Sequence, residues 1–161
     1  MSELPGFIAI ETGDEEGLPL SVAWSLPDGR IKHTLIQPDD SWIAESDHVT
    51  NEYSAEELES FGVSPLDVIR ELETDYFNET LYTSGSGEDE LALARLFDTY
   101  GIDPFVELAP AESLYPNLHG AEWQHQRRQV FDQLGLEPMR PEDEVSAMLA
   151  LHQRLAGDDT G

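Results

Sequence analysis

Cysteine is absent from this 161-residue chain, which excludes disulfides and thiolate-based metal or redox sites and leaves the redox compartment open. Basic side chains are scarce. Eight lysines and arginines, with Lys32 the only lysine, stand against 34 acids, for a formal charge of −26. Such a field repels phosphate backbones, lipid headgroups and other polyanions, and favours basic proteins and metal cations. Long apolar runs are missing too, and none approaches the roughly 20 residues of a membrane span. The opening Met-Ser-Glu-Leu-Pro-Gly-Phe lacks the basic-then-apolar order of a secretory leader. We therefore expect a soluble, cytoplasmic protein with no membrane partner.

What is present suffices for a core. At 39% hydrophobic and 9% aromatic the chain can bury one, and its length suits a single domain over residues 1–157, with 158–161 a disordered tail. The acids run along the whole chain rather than forming a tail, as on a solvated acidic face. A salty cytoplasm would screen their repulsion, since the Debye length falls to about 3 Å at 1 M salt. Alternatively, the surface imitates a nucleic acid or engages a basic protein.

Residues 7–11 (FIAIE), apolar on both faces, predict a buried central strand. Residues 18–26 predict a second strand, Pro27-Asp28-Gly29 a hairpin turn, and 31–36 a third strand. Ser54 with Glu57 forms a capping box, and Ser64-Pro65 opens another helix through Leu72. Beyond it we read a strand over 79–84, a helix over 88–100 stopped by Gly101, and a short strand over 105–108. Helices over 121–134, stopped by Gly135, and 142–155 complete a mixed α/β pattern.

These elements and several local strings resemble the DnaQ-like DEDD 3′–5′ exonucleases, which have a ribonuclease H-like fold. LPLSVAWSLPDG looks like that family's second strand and hairpin, and SDHVTNEYSAEELESFGVSPLDVIREL resembles a later segment, with His48 at its histidine. The resemblance covers about residues 7–155. It implies a mixed sheet, an antiparallel three-strand meander plus parallel strands, flanked by helices. It also implies four carboxylates and a histidine around two Mg²⁺ or Mn²⁺ ions about 3.5–4 Å apart, hard cations that take oxygen ligands.

Carried over residue by residue, the resemblance is uneven. IAIETG puts Glu11 at the first-strand glutamate but Ala9 at the aspartate that bridges both metals. GSGEDELALARLF puts Asp89 at the second aspartate. GLEPMRPEDEVSAMLAL puts Glu144 at the last aspartate and Met139 at the general-base histidine. Glu11, Asp89 and Glu144 are thus the candidate catalytic and metal-binding residues, expected to converge in space. Ala9 cannot ligate a metal and Met139 cannot take a proton from water. Asp14 with Glu16, or Asp143 beside Glu144, are the available substitutes.

The resemblance therefore implies an exonuclease-like protein leaning towards inactivity and acting as a protein-binding module, possession of a basic partner being the corresponding expectation. The alternatives are a working exonuclease with an altered carboxylate set, needing Mg²⁺ or Mn²⁺ and meeting nucleic acid only when active or at high salt, and an acidic decoy. Other features have plainer readings. Glu122 and His125 supply one copy of a di-iron ligand element that is needed twice, so an exposed polar helix is expected there. Arg127-Arg128 is expected to form surface ion pairs of small worth. Trp24, Trp42 and Trp123 read as packing residues.

Overall fold

The computed structural model describes residues 4–12, 19–37, 60–85, 88–116, 118–137 and 140–159. Asp14, Glu16, Trp42, His48, the capping segment 54–58 and Met139 lie outside these residues. The first three strands are β1 (Ile8–Thr12), β2 (Pro19–Ser25) and β3 (Ile31–Leu35), joined as an antiparallel sheet in the order β1-β2-β3. Ile8 stands opposite Trp24 and Ile10 opposite Val22. At the turn, Gly29 adopts φ 92° and donates its N–H to Leu26 O at 2.8 Å.

Helix α1 (Pro65–Tyr76) begins as its sequence indicates, with Ser64 Oγ accepting the Asp67 N–H at 3.2 Å. It runs past Leu72 because its last turn has a tertiary anchor: Tyr76 Oη donates to the Ser25 carbonyl. Strand β4 (Thr80–Thr83) pairs in parallel with β5 (Glu107–Pro110), and α2 (Glu88–Thr99) lies between them in sequence. The pairing of β5 starts two residues later than its apolar run. Phe105 and Val106 are buried, yet the ladder begins only where Glu107 meets Thr80. A 3₁₀ turn (Ala111–Leu114) then leads to α3 (Gly120–Leu134) and α4 (Pro141–Asp159). Gly135 closes α3 at φ 65°, the left-handed cap glycine takes without strain.

Within the three-stranded sheet β1 is a border strand, not a central one by ladder pairing. Its free edge nevertheless meets β4. Phe7 forms a single parallel bridge with Tyr82, and Tyr82 N–H donates to Gly6 O at 2.9 Å. Gly6 permits that approach, since a Cβ there would stand 2.6 Å from Leu81 and 2.7 Å from Tyr76.

The strand β1 also divides the core. Ile8 and Ile10 pack with Val68, Leu72, Leu96 and Phe97 from α1 and α2. Phe7 and Ala9 pack with Trp123, Val130, Val145 and Met148 from α3 and α4. The result is an α/β arrangement with helices on both faces, in coarse agreement with the expected class. Among the described residues no helix is long and apolar enough to cross a membrane.

Candidate functional site

The candidate carboxylates sit at the end of β1 and the first turns of two helices. Strand alternation places Glu11 on the face of Ala9, and its Oε1 accepts the Ser21 hydroxyl at 2.8 Å from the neighbouring strand. Ser21 is directly opposite Glu11 in the register. Asp89 opens α2 and is only 6% exposed. Its Oδ1 accepts the Ile10 N–H at 2.8 Å. That bond has a topological cause. In the β1–β2 ladder alternate residues turn their N–H groups away from β2, and beyond the Phe7–Tyr82 bridge no further β1–β4 pair forms among the described residues. Asp89 satisfies the donor left at that edge.

The structure thus brings Asp89 against the backbone beside Glu11. It places Glu144 differently. Glu144 lies in the acidic first turn of α4, 8% exposed, and forms an ion pair with Arg127 of α3. Both Glu144 oxygens face the same guanidinium nitrogen, Arg127 Nη2. The Arg127 guanidinium also stacks 4.6 Å from the Phe131 ring centroid. Asp143 does not slip into the neighbouring position; its Oδ2 accepts the Glu137 N–H at 3.0 Å.

This corrects the expectation for the basic pair. Arg128 is exposed, but the Arg127 side chain is 19% exposed and its partner's 10%. The ion pair is a partly desolvated link between two helices, and removing one partner from such a pair is costly. The sequence carried a signal for it. Trp123, Arg127, Val130 and Phe131 recur at helical spacing, so Arg127 falls on the buried stripe of α3. The same spacing from Val145 and Met148 places His152 inward on α4, where its Nδ1 lies 2.8 Å from Tyr115 Oη. Burial lowers the His152 pKa and raises that of Tyr115.

The other readings fall out simply. Glu122 and His125 are exposed and bond within their own helix, to Gln126 and Gln129. Trp24 and Trp123 are each 1% exposed and belong to the core. Trp24 Nε1 donates to Asp75 Oδ2 at 2.8 Å.

Oxygen ligands of the right hardness are therefore present, each engaged by a protein group. Among the described residues, no three histidine, aspartate or glutamate side chains gather so as to hold a metal ion. Ala9, at the bridging position of the resemblance, is 6% exposed within the apolar cluster of α3 and α4.

Neither a protein-family model nor a curated protein sequence matches the chain. Among solved structures it is similar to the exonuclease domain of Mopeia virus, solved fully depleted of manganese, at 17% identity and a TM-score of 0.45. The match covers 80% of this chain and 59% of the viral one, so the chain spans less than two thirds of that neighbour's length.

Proposed function

We propose that this chain is a catalytically impaired 3′–5′ exonuclease-like domain of ribonuclease H-like type that serves as a binding module for basic proteins. For the fold, the support is the strand order β3-β2-β1-β4-β5, continuous once the Phe7–Tyr82 bridge is counted. For the impairment, the observation that carries the reading is Ala9. It occupies the bridging-aspartate position of the resemblance, packed among apolar groups, and its methyl side chain offers no ligand to a metal. Asp89 and Glu144 add to this, since each is engaged by a protein group, Ile10 N–H in one case and Arg127 in the other. The charge of −26 favours a basic protein over a polyanionic substrate.

Degradation of single-stranded DNA and RNA with Mg²⁺ or Mn²⁺, at low and at high salt, tests the reading. High salt lifts the repulsion of the substrate without supplying the missing ligand. We expect negligible cleavage in both. Robust cleavage at high salt, abolished by Asp89→Asn, would instead establish a working exonuclease with an altered carboxylate set.

A further inference from the structure

The outer edge of β5 lies apart from the carboxylates discussed above and has three properties that belong together. In the two-stranded sheet β5 has one neighbour, β4, among the described residues. Glu107 gives its N–H to Glu79 O at 3.2 Å. In a parallel ladder the next residue turns its own groups the other way, so Leu108 directs its N–H and C=O outward. Second, two shallow clefts flank the chain leading into β5, and Val106 borders both. Val106 and Leu108 line one of about 180 Å³ together with Leu93, Ala94 and Phe97 of α2. Phe105 and Glu107 line another of about 340 Å³ together with Glu79. Leu91, 73% exposed and one turn before Ala94, extends the apolar stripe of the first cleft into solvent.

Third, the charge around this edge is uncompensated. Glu90 borders the apolar cleft, while Glu79 and Glu107 border the other, and all three are exposed. No ion pair among the described residues engages them. They add to a protein that is already strongly acidic.

We propose that β5 is a docking edge for an extended segment of a partner protein in which apolar residues alternate with lysine or arginine. An added strand takes its main-chain hydrogen bonds from the sheet edge and its specificity from pockets for alternate side chains. Here the two clefts differ in character: apolar residues enter the one walled by Phe97 and Leu108, and cations meet Glu79 and Glu107. Charge complementarity selects the partner. An acidic or purely apolar strand would leave the carboxylates bordering the two clefts without counter-charge. The inference rests on the protein-binding half of the reading above and gives it a surface.

The probe is a short synthetic peptide of alternating valine and lysine. Its control has the same composition, with all lysines first and all valines last. Each is titrated into the full chain, with backbone amide shifts recorded at physiological and at high salt. We expect the alternating peptide to bind about tenfold tighter than the control, to shift the amides of 90–97 and 104–110, and to retain that preference at high salt. Ala94→Trp, at an exposed position, fills the apolar cleft and should weaken the alternating peptide about tenfold. Glu107→Lys, also at an exposed position, should weaken it without touching the core, so a folding defect in the first variant leaves the second to decide. Equal binding of the two peptides, shifts lying elsewhere, or indifference to Glu107→Lys would overturn the docking edge. Those results are independent of the nuclease assay. A blank peptide titration with no cleavage refutes this edge alone, whereas cleavage refutes the impaired-enzyme reading whatever the peptide does.

Discussion

On the face of β1 that carries Ile8 and Ile10, a buried carboxylate is held by a backbone N–H; on the face that carries Phe7 and Ala9, one is held by a guanidinium. Asp89 fills a vacancy in a hydrogen-bond ladder, and its bond ties the start of α2 to the sheet. Glu144 neutralises a cation and ties the start of α4 to α3. Both acids occupy first turns of helices, where the dipole already favours negative charge. The difference lies in what the loss of one partner leaves behind. Without Asp89 a backbone donor loses its acceptor, whereas without Arg127 a full charge stays in a largely dry setting. The two faces should therefore respond unequally to the same kind of change.

The largest effect is expected where a carboxylate is introduced on the second face without any partner. Ala9→Asp places a charge among Trp123, Val145 and Met148, and an uncompensated buried charge costs about 3–5 kcal/mol. Urea denaturation without metal should show a loss of that order, and an undiminished midpoint would mean that a cation or donor already faces position 9. Next comes Arg127→Gln, which strands Glu144 and should cost about 3 kcal/mol. The double change Arg127→Met, Glu144→Leu should cost much less than the sum of its single changes. A double-mutant cycle with no coupling would break the comparison, because the pair would then be incidental.

Asp89→Asn should be milder. The amide oxygen can still accept the Ile10 N–H, so only the charge-assisted part of the bond is lost, about 1 kcal/mol. Hydrogen exchange at Ile10 should rise modestly there and more in Asp89→Ala. Equal losses for Asp89→Asn and Arg127→Gln would erase the distinction between the two faces.

The smallest effect concerns pH. Burial depresses the folded His152 pKa below its ordinary 6.5, so the unfolded chain binds the proton more readily. The stability associated with neutral His152 is complete above about pH 6.5 and declines as pH falls through that value towards the lower folded pKa. Replacing it, as in His152→Gln, should flatten this part of the stability profile below pH 6.5 while leaving the profile above it parallel to the unmodified protein's. An unchanged acid limb would place the titrating group elsewhere.

Much of the fold is legible in the amino-acid order because its signals are local. Pro27-Asp28-Gly29 makes its turn, Ser64-Pro65 opens α1, and Gly135 ends α3. The misses depend on distant partners. The last turn of α1 is anchored through Tyr76 to a carbonyl 51 residues away. The start of β5 is set by its register against β4, not by the apolar character of Phe105 and Val106. Within the candidate site, the resemblance points to Glu11, Asp89 and Glu144, but their partners are not equally visible. The Asp89–Ile10 bond spans 79 residues and follows from where one strand stops pairing, which no local pattern encodes. The Arg127–Glu144 pair was within reach, because helical spacing alone sets Arg127 beside Trp123 and Phe131.

The candidate carboxylates are engaged by protein groups, and we expect them to assemble no two-metal centre. Calorimetric titration of the unmodified full chain with Mn²⁺, repeated with Mg²⁺, tests it most directly. We expect no two-site binding up to millimolar metal, with Glu11→Gln and Asp89→Asn leaving the titration unchanged. Two-site binding that disappears in both of those variants would contradict it.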